Sequence, residues 1–166
     1  DLEIDGYASI EAQVAALADD IAYNNHDVED GLKANIFSLD DICAAVPLFR
    51  ERVEYVKKTY PNISQKILIS ESIRDMIGVM VDDVLAESLK NLSELKPNSV
   101  DDVRAHNKAI VRFSDNMFQE LKILRAFLMD NMYRHHTIQR IWVKAEKIIS
   151  DLFNVFMNDT RLLPVE

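Results

Sequence analysis

The chain has 166 residues, with 19 Lys and Arg against 28 Asp and Glu, a formal charge of −9 at pH 7. Hydrophobic residues make up 48% of it, which excludes a largely disordered polypeptide, and 3 glycines leave little material for the turns of a sandwich, barrel or Rossmann fold. The acidity argues against general nucleic-acid binding, which needs cationic surface to displace counterions, but leaves room for an anionic small substrate at a site of locally inverted charge.

Ser9 is a good N-cap for a first helix, with Glu11 in its first turn where a carboxylate meets the positive helix end. Val14, Leu17, Ala18, Ile21, Ala22 and Val28 recur at helical spacing to about Leu32, and Gly31 is placed to serve as a C-cap. Ser38, Asp40 and Asp41 open a short helix, SLDDICAAV. Pro47 begins the next, PLFRERVEYVKKTY, and Pro61 ends it. A long stretch from Ser64 to about Leu95 carries the broad apolar face of a helix central to a bundle. Gly78 inside it reads as a close helix crossing. A short turn of helix follows Ser99, and two firm helices run from Ser114 to Tyr133 and from Thr137 to Met157. The tail NDTRLLPVE reads as a loop.

No segment alternates as a strand does, and there is no internal repeat. The expected architecture is all-α, a multi-helix bundle of five or six helices forming one helical region over residues 1–166. One cysteine, Cys43, excludes an intrachain disulfide and fits a reducing, cytoplasmic compartment, where it reads as a small buried thiol. No apolar run approaches the ~18 residues of a membrane span. The opening DLEIDGYASIEAQ is acidic, has no signal-peptide pattern and no initial Met, and suggests a piece of a longer protein.

The most informative segment is EAQVAALADDIAYNNHDVEDGL, residues 11–32. Asp19, Tyr23 and Asp27, spaced four apart, form one stripe on a helix, with His26 beside it. Two readings fit the pattern. One is a solvated acidic face, for which Asp19, Asp20, Asp27, Glu29 and Asp30 are dense enough. The other is a ligand stripe, with one carboxylate on a metal and the Tyr and second Asp on a substrate.

ADDIAY, preceded by EAQV and followed by NNHDVEDGL, resembles the HD-domain deoxynucleoside triphosphate triphosphohydrolases, the dGTPase family. IRDMIGVMVDDV, LRAFLMDNMYRH and DTRLLP extend the resemblance, to the later helices of its bacterial branch. The resemblance implies hydrolysis of a deoxynucleoside triphosphate to deoxynucleoside and inorganic triphosphate at a divalent metal, Mg or Mn. It implies that Asp19 is the last metal ligand, that Tyr23 packs on the sugar, and that Asp27 hydrogen-bonds near the 3′-hydroxyl. It also implies a homo-oligomer.

The family's earlier His and its His-Asp pair are absent upstream of Asp19, and His26-Asp27 lies on the wrong side of Asp19 to replace them. The chain is therefore expected to be the carboxyl-terminal part of a longer enzyme. Its partner would be the missing amino-terminal half, and alone it would be inactive, because one carboxylate does not assemble a metal site. The first helix would then lack its normal packing partners and would be mobile, displaced or covered by a second copy. The alternative is a non-catalytic helical module for oligomerisation or partner binding.

Residues 131–147 form the one basic stretch, with Arg134, Arg140, Lys144 and Lys147 beside His135 and His136. It reads as a solvated helix end or as a patch facing phosphate or a subunit, in which Arg134 and His135 are favoured. The adjacent histidines should point apart on a helix. Trp142, Phe127 and Phe153 are most simply core.

Overall fold

The computed structural model describes residues 6–106 and 108–163. Helices account for most of it: α1 (Ile10–Lys33), α2 (Leu39–Ala45), α3 (Pro47–Thr59), α4 (Gln65–Leu95), α5 (Val100–Ala105), α6 (Asp115–Leu128) and α7 (His136–Asn158). A π-helical turn, Met129–Tyr133, links α6 to α7, and a 3₁₀ turn, Thr160–Leu162, follows α7. There is no strand among the described residues, so the all-α expectation holds. The last three residues of the expected terminal loop lie outside the described residues.

The starts follow local chemistry. Ser9, Ser38, Ser99 and Ser114 each accept a backbone N–H at a helix N-terminus, and Ser38–Asp41 and Ser99–Asp102 close full capping boxes. Pro47 stands in the first turn of α3. Lys96, in the left-handed region at φ 46°, ends α4 just before Pro97.

The core is built where the helices converge. Ile21 and Val28 of α1, Phe49 of α3, Met76 and Met80 of α4, and Leu121 and Leu124 of α6 share one buried cluster, with Ile42 of α2 against them. Phe127 is in this core as expected, its ring edge-on to Phe37 with centroids 5.0 Å apart. A second tie is polar. Gln13 is buried; its amide N–H donates to the Ala8 carbonyl at 2.7 Å, and its Oε1 accepts from the backbone N–H of Ile110 and Val111 at 2.9 and 3.1 Å. One side chain thereby satisfies backbone groups on the loop before α6, nearly a hundred residues away.

Several expectations are corrected. Gly31 is not a C-cap: α1 continues to Lys33 and the cap is Ala34. Gly31 is small because the Phe37 ring lies against it, where a Cβ would overlap the ring edge. Gly78 is not a helix crossing, since it is exposed and nothing lies within 4 Å of where its Cβ would be. Trp142 and Phe153 are not core: they are 68% and 62% exposed on α7, none of whose residues is buried. The expected helix from Ser114 to Tyr133 is α-helical only to Leu128. After that the ladder widens, and the Arg134 N–H reaches back five residues to the Met129 carbonyl at 3.1 Å.

The broad apolar face of α4 is used unevenly. Its first half is buried through Leu68, Ile73 and Met76, while Val81, Leu85 and Leu89 in the second half stand exposed. They form one wall of an apolar groove of about 470 Å³, whose other wall is Val14, Ala18 and Ala22 of α1. The first helix is thus neither displaced nor fully packed: its C-terminal half is core and its N-terminal half is open.

Candidate functional site

Helix periodicity does place Asp19, Tyr23 and Asp27 on one stripe of α1, but their settings differ. Asp19 is exposed, and Tyr23 is 59% exposed. Asp27 is half-buried and accepts a hydrogen bond from the Tyr133 hydroxyl, at the last residue of the π turn. Burial raises the Asp27 carboxyl above the ordinary Asp range; the neighbouring Asp30 charge adds to this and His26 opposes it. His26 itself is exposed, 3.9 Å from Glu29, which in turn pairs with Lys33 at 2.7 Å.

Beside the stripe runs a row that connects α1 to α6. Asp20 forms an ion pair with Arg125, whose Nε donates to Asn24 Oδ1 at 3.3 Å. The Asn24 amide donates back to the Asp20 carbonyl at 2.6 Å. Asp20, Asn24 and Asp27 thus pin one edge of α1 to α6 and the turn after it, leaving Asp19 and Tyr23 facing outward. Within the core, the Asn25 amide donates to the Ile21 carbonyl at 2.8 Å and contacts the Met80 sulfur at 3.2 Å.

Arg134 and His135 follow Tyr133 directly and so lie at the same end of the molecule. Arg134 is exposed and pairs with Asp130 at 2.8 Å. His135 is the N-cap of α7, and its Nδ1 accepts the Thr137 N–H at 3.4 Å. That capping role overturns the expectation that the two histidines point apart. The backbone of His135 is extended, so its ring tilts over that of His136 with centroids 4.4 Å apart. Arg74 of α4 is exposed, 3.6 Å from Glu71. Cys43 is half-buried, and burial pushes its thiol up, away from the reactive thiolate.

No three His, Cys, Asp or Glu side chains among the described residues lie close enough together to share a metal ion. Nor is any helix among the described residues long and apolar enough to cross a membrane.

The sequence reading gives no individual role to Tyr133, Arg125 or Asn24, and takes Asp20 only as part of a solvated acidic face. Tyr133 was adjacent to the selected Arg134, but nothing in the spacing joins it to a residue 106 positions earlier. The i,i+4 pair Asp20 and Asn24 was the available local signal for the second row.

A family model described as a phosphohydrolase-associated domain matches residues 111–166. The whole chain is 43% identical to a deoxyguanosinetriphosphate triphosphohydrolase-like protein of Parvibaculum lavamentivorans, over 166 residues that make up 42% of that protein. It is 44% identical over 164 residues to the protein of the same name from Caulobacter vibrioides, covering 99% of this chain and 41% of the relative. A Ralstonia pickettii protein, also so named, is 43% identical over 156 residues, covering 94% of this chain and 40% of the relative. The chain spans about two fifths of the length of these curated relatives. It belongs to the family of the deoxyguanosinetriphosphate triphosphohydrolase-like proteins and matches their carboxyl-terminal part.

Proposed function

We propose that this chain is the carboxyl-terminal part of a metal-dependent deoxynucleoside triphosphate triphosphohydrolase, which converts a dNTP and water to deoxynucleoside and triphosphate. The observation that carries this reading is the stripe on α1. Asp19 and Tyr23 stand free on one face while Asp27, one turn on, is half-buried and held by Tyr133. A purely solvated acidic face has no need of a carboxylate raised by burial and tied to a distant phenol.

In this reading Asp19 is the last ligand of a divalent metal, Mg or Mn, whose other ligands lie on residues outside this chain. Such a metal, when bound, lowers the pKa of a water and neutralises charge on phosphate. The residues present here bind and orient. Tyr23 offers an exposed ring as a floor for the sugar, and a ring close under the sugar tests sterically against a 2′-hydroxyl. Asp27 offers a fixed acceptor for the 3′-hydroxyl. Arg134 and His135, at the same end of the molecule, face phosphate or a neighbouring subunit.

The 166-residue chain alone is expected to release no triphosphate from dGTP with Mn²⁺, whereas the full-length protein does so. Clear turnover by the isolated chain would overturn the assignment of the remaining ligands to other residues. The second reading is a non-catalytic module for oligomerisation or partner binding. A full-length protein that binds dGTP but never cleaves it would select that reading.

A further inference from the structure

Asp20 and Asn24 each stand one residue after a member of the stripe, Asp19 and Tyr23, so the two rows lie about 100° apart around α1. Whatever fixes one row fixes the direction in which the other points. A single guanidinium, that of Arg125 in α6, holds both Asp20 and Asn24. It forms an ion pair with Asp20 and donates through Nε to Asn24 Oδ1 at 3.3 Å. The Asn24 amide is turned for this contact: its nitrogen donates to the Asp20 carbonyl at 2.6 Å, which leaves its oxygen for Arg125. Asn24 is buried, so it has no water to turn to in place of these partners. Arg125 stands on a firm base. Its neighbours Met117, Leu121, Leu124 and Phe127 bury one face of α6. The N-cap of α6, Ser114, is tied to α4, where Asp83 accepts from its backbone N–H at 2.8 Å and from its hydroxyl at 2.6 Å.

We infer that Arg125 is a positioning residue for sugar recognition: by holding Asp20 and Asn24 it sets the roll of α1 about its own axis, and so the height of the Tyr23 ring beneath the sugar. The inference rests on the function proposed above, in which Tyr23 is the floor of the sugar site. Arg125 touches no nucleotide in this role and acts wholly through its neighbours on α1. The lever is short. Side chains lie about 5–6 Å from the helix axis, so a roll of about 10° moves the ring by about 1 Å, the scale on which a contact with a 2′-hydroxyl is made or lost. An arginine suits the task because its planar fork meets two acceptors at once, where a lysine offers one point of charge. The ion pair is half-exposed on both sides and contributes little to stability, so its geometric role is separable from any part in folding.

The test is steady-state kinetics of the full-length protein with dGTP and with GTP at one Mn²⁺ concentration, scored as the ratio of the two kcat/KM values. A ratio taken at the same metal concentration cancels any change in metal affinity. Arg125→Met keeps the apolar stem and removes both bonds. It should melt close to wild type and lower the dGTP-to-GTP ratio by about tenfold. Arg125→Lys, which restores the charge facing Asp20 but not the fork, should lie between the two. In a Tyr23→Ala background, Arg125→Met should leave the ratio where Tyr23→Ala alone sets it, because the guanidinium acts through the ring. A further fall in that background would show that Arg125 meets the nucleotide itself and would overturn the positioning role. An Arg125→Met protein with the wild-type ratio would overturn it too. Should Arg125→Met melt well below wild type, Asp20→Asn removes the ion pair from the other side and carries the same expectation. A wild-type protein that cleaves neither nucleotide, or both equally well, would instead refute the reading of the stripe on which this role rests.

Discussion

Tyr133 donates its hydroxyl hydrogen to the carboxylate of Asp27, joining the π turn after α6 to the C-terminal half of α1 across 106 residues of sequence. The widened turn explains the reach. Leaving the α-helical ladder at Met129 rotates the last residues of the segment, and Tyr133 ends at α1 where regular helix would carry it elsewhere. Asp27 is thereby the one member of the Asp19–Tyr23–Asp27 stripe fixed by tertiary structure.

Replacing Tyr133 with Phe removes a donor to the ionised form of Asp27 and leaves its burial in place. The Asp27 carboxyl, already above the ordinary range, should rise further. A ¹³C-detected pH titration of the Asp27 carboxyl in wild type and Tyr133→Phe reads this directly; an unchanged or lowered value would show that the hydroxyl does not hold the carboxylate. On the proposed reading, the same variant of the full-length protein should lower kcat/KM for dGTP more than for dideoxyGTP, which lacks the 3′-hydroxyl.

The raised Asp27 carboxyl also sets a sign for stability. A folded-state value above the unfolded one means that the folded chain binds the proton more tightly. The stability associated with it is greatest below the unfolded carboxyl range and declines as pH rises through the folded value. Asp27→Asn keeps an acceptor for Tyr133 and has no proton to lose. Its Tm relative to wild type should therefore increase from acid to neutral pH. A difference that is flat with pH, or that runs the other way, would contradict the shift.

Gln13 tests the polar clamp. Gln13→Leu leaves the buried N–H groups of Ile110 and Val111 without their acceptor and should cost about 3 kcal/mol in urea unfolding. Gln13→Glu retains the acceptor oxygens but sets a buried carboxylate against the Ala8 carbonyl, so it should cost less than Gln13→Leu at acid pH, where a protonated Glu again donates. Equal losses for the two would mean that volume, and not the bonds to the two N–H groups, is what the site requires.

Two glycines on long helices should respond in opposite directions. Gly31→Ala drives a methyl into the Phe37 ring and should destabilise by about 1–3 kcal/mol. Gly78→Ala meets open space on an exposed helical face and should stabilise by about 0.5–1 kcal/mol. Thermal melts of the two variants decide this; stabilisation by Gly31→Ala would show that Phe37 does not pack as described.

On the proposed triphosphohydrolase reading, Asp19→Ala in the full-length protein should abolish triphosphate release, while Tyr23→Ala should mainly raise KM and weaken discrimination against ribonucleotides. Near-normal turnover by Asp19→Ala would refute the metal assignment. A thermal melt of the same variant, set beside its bound Mn²⁺, separates a lost ligand from a lost fold.

What the sequence determined by itself is what short-range chemistry controls. Ser9, Ser38, Ser99 and Ser114 cap helices because a side-chain oxygen reaches an N–H two or three residues on, and Pro47 starts a helix because its ring fixes the backbone angle. The stripe of Asp19, Tyr23 and Asp27 was legible for the same reason, since helical period alone places them together. Tertiary structure decided what each such face meets. Gly31 and Gly78 have the same side chain and similar helical settings, yet one is packed against Phe37 and the other faces solvent. Trp142 and Phe127 are both large aromatics on helices, but only Phe127 has core around it. Asp19 and Asp27 are one residue type on one stripe, and only Asp27 is half-buried beneath a phenol from the far end of the chain. Local pattern fixes which residues share a face; the environment of that face depends on contacts between segments a hundred residues apart, and no periodicity encodes those.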